Sequence, residues 1–195
     1  MSALLLCYFE VGRYLQIVAG GHSVACGGFG SFRHFVVLPK ASTYDILGQA
    51  QIESPPSSQR ARIRLLNEVK QAVTILAEGG VVSVPTDTLY GLAASAYNEQ
   101  AVERIYRIKR RPAITALPVL LADPLDILQL TDSVPDLVWR LTESFSPGPL
   151  TMVLRRGRGV PDFVSAGQDT IGVRVPDHWI PRTIIRDLGE PITGT

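Results

Sequence analysis

Hydrophobic spacing becomes regular at Arg60. From there Ile63, Leu66, Val69, Val73 and Leu76 recur at steps of three and four, the stripe of an amphipathic helix, and Gly79 and Gly80 supply the backbone freedom that ends one. Residues 81–84 (VVSV) follow as a short strand, closed by Pro85, which cannot donate to a sheet ladder. Asn98 is placed to cap a second helix with Val102, Ile105 and Ile108 on its face; it runs out through Lys109, Arg110 and Arg111 before Pro112. Residues 117–122 (LPVLLA) form a continuous apolar run of buried-strand type, and Asp123-Pro124 supplies a cap and a first-position proline for a further helix. A longer helix from near Pro135 is expected to bury Leu137, Val138, Leu141 and Phe145 and to stop at residues 146–149 (SPGP). Residues 150–154 then read as a strand. Residues 170–175 alternate strictly, with Ile171, Val173 and Val175 on one face and Thr170, Gly172 and Arg174 on the other. Pro176-Asp177-His178 leads into a last helix through Ile184, Ile185 and Leu188, and the chain closes on PITGT, residues 191–195. Helices interleaved with short strands predict an α/β or α+β sheet domain.

Residues 1–57 break this rhythm: they are glycine-rich and aromatic, carry few charges and show no period. Two prolines flanked by serines, within residues 53–59, mark the boundary, so the expected organisation is a 1–57 extension without an assignable fold, poorly ordered, and a domain over 58–195. The glycines of residues 20–30 lack the Lys-Ser/Thr pair and the strand-to-helix frame of a phosphate loop.

Composition narrows the function classes. The 195 residues are 46% hydrophobic and 19% charged, ordinary for one globular core, and the net charge of +1 gives no global reason to bind nucleic acid or membrane. Cys7 and Cys26 show neither metal-ligand spacing nor a disulfide framework. Glu10, Gly12 and Arg13 interrupt the opening apolar segment well short of the roughly eighteen residues a membrane span needs, and no basic stretch precedes it. A cytoplasmic protein is expected.

Three polar sets can carry chemistry. Thr86, Asp87, Thr88 and Tyr90 crowd the point where the first strand of the domain gives way to a loop, where α/β sheets tend to place ligands; capping of the next turn is the competing role. Lys109 and Arg111, two residues apart, cannot share a helix face, but from a turn at the helix end they can converge on one anion. Cations are in any case favoured at a helix C-terminus. Arg174 needs an acceptor if buried, either a ligand carboxylate or phosphate or an internal acid. His22, His34 and His178 are scattered, His178 suits a cap, and Ser146 and Ser165 lack a neighbouring base, so no nucleophilic triad assembles. Arg155, Arg156 and Arg158 form a basic turn that suits a solvated face or RNA phosphates.

VPTDTLYGL at 84–92, IKRRP at 108–112, SPGPLTMVL at 146–154, TIGVRVPDH at 170–178 and PITGT at 191–195 together resemble the YrdC-like family of threonylcarbamoyl-adenylate synthases, over about residues 60–195. The resemblance implies a twisted mixed sheet with flanking helices around a deep, positively lined cavity. It implies formation of threonylcarbamoyl-AMP and pyrophosphate from L-threonine, bicarbonate and ATP, with Mg2+ accompanying the polyphosphate. The product would pass to a threonylcarbamoyl transferase complex that modifies tRNA. By the same resemblance Thr86, Thr88 and Tyr90 shape the threonine side of the pocket, Lys109 and Arg111 hold phosphates and developing charge, and Thr151 and Arg174 line the cavity. The family pattern continues beyond PITGT with a Ser-x-Asn motif and further strands, so a domain incomplete at its C-terminus, with an uncovered sheet edge, is expected. The alternative is an RNA-binding module of the same fold, without catalysis, using Arg104, Arg107 and Lys109 to Arg111 with the 155–158 turn on double-stranded RNA or tRNA.

Overall fold

The computed structural model describes residues 58–195 apart from 113, together with the backbone strand Phe35–Val37. The other expectations for the first 57 residues, including those for Cys7, Cys26, His22, His34 and the glycine-rich stretch, lie outside the described residues.

The elements follow the predicted order, with Phe35–Val37, Gly91–Ala93 and Asp162–Ser165 added to those the spacing predicts. Strand β1 (Phe35–Val37) is followed by helix α1 (Gln59–Ala77), strands β2 (Val81–Val84) and β3 (Gly91–Ala93), helix α2 (Glu99–Lys109) and strand β4 (Val119–Leu120). A 3-10 helix (Pro124–Gln129), helix α3 (Asp136–Phe145), strand β5 (Met152–Arg155), the single turn α4 (Asp162–Ser165), strand β6 (Thr170–Arg174), helix α5 (Trp179–Leu188) and strand β7 (Ile192–Thr193) complete it. Local capping sets the starts: Ser58, Asn98 and His178 each accept from a backbone N–H of the first turn of α1, α2 and α5.

Two sheets form, ordered β1-β2-β3 and β5-β6-β4-β7. They are stitched together by residues 191–195, which run antiparallel to 92–96: Thr193 N–H donates to Ala94 O, Leu92 N–H to Thr195 O, and Thr195 N–H to Leu92 O. Strand β1 lies parallel to β2, so a segment from the first 57 residues adds a strand to the sheet that the following residues build.

The sequence patterns report how many faces of each strand are covered. In β2, Val82 and Val84 pack under α1 and α5, while Val81 faces α2 with Ala101, Val102 and Ile105. Likewise Leu120 joins the α1/α5 core and Val119 the core of Leu130, Val138, Met152 and Val173. Strands buried on both faces favour apolar residues at nearly every position, hence the near-continuous apolar runs, with Ser83 a small polar residue buried in β2. Strand β6 alternates because only its Ile171–Val173 face is covered by core, leaving Gly172 and Arg174 on the other.

Several expected side chains are placed differently. On α1 the buried stripe is Leu65, Val69, Ala72 and Leu76, whereas Ile63 and Leu66 are 53% and 49% exposed. Both stripes have helical spacing, and packing against Ile180, Ile184 and Ile185 of α5 selects the first. On α3, Val138 and Leu141 pack inward but Leu137 and Phe145 stand in solvent, and Ile108 is partly exposed on α2. The helix after Asp123 is of the tighter 3-10 type, and the strand expected at 150–154 forms at Met152–Arg155.

Candidate functional site

The 86–90 loop leaves β2 at the end of the sheet, and the bonds of Thr86 fix its shape. The Thr86 hydroxyl, almost fully buried, accepts from the N–H groups of Thr88 and Leu89 and donates to Leu89 O at 2.6 Å. The Thr86 hydroxyl also lies 3.1 Å from that of Thr88, and these contacts within the loop make Thr86 the residue that shapes the turn, with Thr88 and Tyr90 as its exposed polar groups.

On one side the loop meets Arg174. The Arg174 guanidinium donates through Nη2 to Asp87 Oδ1 at 2.6 Å, through Nη1 to Thr88 Oγ1 at 3.1 Å and through Nε to Gly148 O at 3.0 Å. Both side chains of the ion pair are nearly buried, 13% and 14% exposed, and Asp87 Oδ1 also accepts from Asp177 N–H. Of the two acceptors open to Arg174 from its sequence, the internal acid is therefore present. A guanidinium has five N–H groups; one on each terminal nitrogen has no hydrogen bond among the described residues, and a carboxylate or phosphate oxygen could take them. Thr151 sits over Gly172, where an added Cβ would lie 3.4 Å from its methyl, on the face of β6 that also carries Arg174.

At its other end the loop joins β3, whose Leu92 pairs with Thr195. Lys109 Nζ and Arg111 Nη1 both donate to the hydroxyl of that Thr195, at 3.1 and 2.8 Å. Their convergence depends on Arg110, which takes the left-handed conformation (φ 50°) directly after α2 and turns Arg111 back toward Lys109. The connection to β4 is braced by Tyr106, whose hydroxyl donates to Thr115 O at 2.9 Å. Burial raises the pKa of this hydroxyl, against a weaker opposing effect of Arg111, which keeps it protonated as a donor.

All seven residues expected at the site thus gather around one loop: Thr86, Thr88 and Tyr90 on it, Arg174 and Thr151 to one side, Lys109 and Arg111 to the other. Reasoning from the sequence missed Asp87 as the partner of Arg174 and Thr195 as the point where two cations meet. No local signal marks either, since the partners are 87 and more than 80 residues apart. His178 caps α5 as expected, its Nδ1 accepting from Ile180 N–H. Elsewhere, Arg156 pairs with Asp162 and Arg158 with Asp132 along a groove of about 580 Å³, which tempers the positive charge of the 155–158 turn.

Residues 74–195 match the profile of the Sua5, YciO and YrdC proteins, described as Telomere recombination. The chain belongs to that family. Within the Sua5–YciO–YrdC family, a threonylcarbamoyl-AMP synthase of Bacillus subtilis is 39% identical over 128 residues, 65% of this chain and 37% of that protein. A rat threonylcarbamoyl-AMP synthase is 31% identical over 185 residues, 91% of this chain and 65% of its own length. The crystal structure of Pyrococcus abyssi Sua5 complexed with L-threonine is similar with a TM-score of 0.64 at 37% identity, covering 66% of this chain and 38% of that one. The chain therefore spans well under half the length of the Bacillus and Pyrococcus proteins. The mixed α/β sheet expected from the sequence is the fold these relatives share.

Proposed function

We propose that this chain carries the threonine- and nucleotide-handling site of an L-threonylcarbamoyladenylate synthase. The observation that carries the reading is the pair of cations, Lys109 and Arg111, brought to one oxygen at the end of a hydroxyl-lined loop, in a family whose relatives bear that name. The reaction begins with capture of bicarbonate or carbon dioxide by the threonine nitrogen as a carbamate. A carbamate oxygen then attacks the α-phosphorus of ATP; the bond to the β-phosphate oxygen breaks and pyrophosphate leaves. Such a transfer needs positioning and charge stabilisation more than a covalent nucleophile, which suits a site without a triad.

In this reading Thr88 and Tyr90 face the threonine, Thr86 holds their loop, and the two uncommitted N–H groups of Arg174 take an anionic oxygen beside Thr151. Lys109 and Arg111 exchange the Thr195 hydroxyl for phosphate oxygens and stabilise the charge that develops there. Among the described residues no group of three or more His, Cys, Asp or Glu could cage a metal, and Asp87 is already held by Arg174. Mg2+ would be carried by phosphate oxygens and water, and would supply charge neutralisation. The product would serve a transferase complex acting on tRNA, in the cytoplasm; among the described residues no helix is long and apolar enough to cross a membrane.

The test is incubation of the full chain with ATP, bicarbonate and labelled L-threonine. Pyrophosphate and a labelled threonylcarbamoyl adenylate are expected, both dependent on threonine. A soluble, folded chain that releases neither overturns the proposal.

A further inference from the structure

We propose that Asp87 is a positioning residue, whose carboxylate locks Arg174 to the 86–90 loop and thereby fixes where the two uncommitted guanidinium N–H groups meet the substrate. This rests on the function proposed above and assigns to that site a residue that touches neither substrate nor reacting atoms.

Asp87 Oδ1 receives two donors from segments remote in sequence, Arg174 Nη2 at the end of β6 and the Asp177 backbone N–H just before α5. Arg174 in turn reaches Thr88 and the Gly148 carbonyl in the Pro-Gly-Pro turn. The Asp87–Arg174 pair therefore ties together the loop after β2, the end of β6, the turn before β5 and the approach to α5. The guanidinium is held through all three of its nitrogens, which fixes both its plane and its rotation; a flexible arginine would have to be ordered anew for each ligand. Asp87 also cancels the charge of Arg174. That argues against bulk electrostatic attraction as the purpose of the arginine and in favour of directed hydrogen bonds. Without Asp87 the guanidinium keeps Thr88 and Gly148, but the loop loses both bonds of Oδ1, to Arg174 and to the Asp177 N–H, and a nearly buried cation loses its counter-charge.

The experiment compares wild type, D87A, D87N and D87E by amide hydrogen exchange and by steady-state kinetics. Asparagine keeps an oxygen able to take both bonds of Oδ1, whereas glutamate keeps the charge but moves it by one methylene. Exchange should accelerate in D87A both in residues 86–92 and in residues 171–178, and KM for L-threonine should rise about tenfold or more with kcat within about threefold. D87E should share the rise in KM, and D87N should recover most of both properties. Unchanged exchange in 171–178 of D87A, or D87N as impaired as D87A, overturns the proposal. Should D87A fail to fold, D87N against D87E decides the same question. If the wild type forms no threonylcarbamoyl adenylate, the proposed function falls while the exchange measurements still decide whether Asp87 couples the two segments.

Discussion

Lys109 ends α2 with its side chain in solvent and its Nζ 3.1 Å from the Thr195 hydroxyl. Truncation to alanine removes the exposed hydrogen bond to Thr195 and a favourable cation at a helix C-terminus, the latter about 0.3–1 kcal/mol, and substitutes the residue of highest helix propensity. The expected loss of stability is therefore below ~1 kcal/mol, within the resolution of a urea denaturation curve. Arg111 keeps its own 2.8 Å bond to Thr195, so the end of the helix stays anchored. The loss for nucleotide chemistry is of another size. A cationic donor aimed at charge that develops in a transition state is worth about 100- to 1000-fold in kcat when removed, roughly 2.7–4 kcal/mol. K109A should therefore lose pyrophosphate release by two orders of magnitude while unfolding at nearly the wild-type urea concentration. K109R, which retains the charge but not the reach or shape of the ammonium, should recover only part of the rate. Near-normal turnover in K109A would refute the assignment of Lys109 to the phosphates. A parallel fall in stability and activity would refute the separation of binding from folding.

Two further outcomes follow from packing and charge. Leu65 is 5% exposed against α5 and Leu66 is 49% exposed; L65A should cost about 2–4 kcal/mol in chemical denaturation and L66A less than about 0.5, and equal costs would restore the stripe through Ile63 and Leu66. The carboxyl of Asp123 is pushed up by burial, but hydrogen bonds from Arg186 and Arg182 outweigh this and hold it below the ordinary value of 3.8. A depressed native pKa means that its contribution is complete above pH 3.8 and is lost as pH falls through the lower native value. The stability gap between wild type and D123N should therefore be constant from pH 5 upward, by the linkage of protonation to folding, and should close on acidification below about pH 4. A gap that persists undiminished at pH 2 would show that the arginines do not act through this charge.

The outline of the fold was legible wherever the determining interaction is local. Asn98 caps α2 because its side-chain oxygen reaches a backbone N–H three residues away. The alternation of 170–175 put Arg174 opposite Ile171 and Val173 because a strand has only two faces. Residues 108–112 showed that two cations could meet at a helix end, and the left-handed Arg110 is the local device that lets them. Less legible was the choice between overlapping patterns: α1 carries two stripes of helical spacing, and the length of α3 offers more apolar residues than its neighbours can cover.

The sequence by itself determined the order of the main helices and strands other than β1 and β3, the caps at Asn98 and His178, the breaks between elements, the alternation of β6, and which polar residues would stand where strands and helices end. Each of these depends on periodicity and on hydrogen bonds spanning three or four residues. Tertiary structure alone decided that α5 selects the Leu65–Val69 face of α1, that residues 191–195 stitch the two sheets, that Lys109 and Arg111 share the Thr195 hydroxyl, and that Arg174 is held by Asp87. Those pairings join groups 80 or more residues apart, and a nearly buried charge takes whichever acceptor the packed backbone brings within reach. The loop after β2 is therefore readable from sequence as a place for chemistry, but its two walls exist only once the sheet has closed around it.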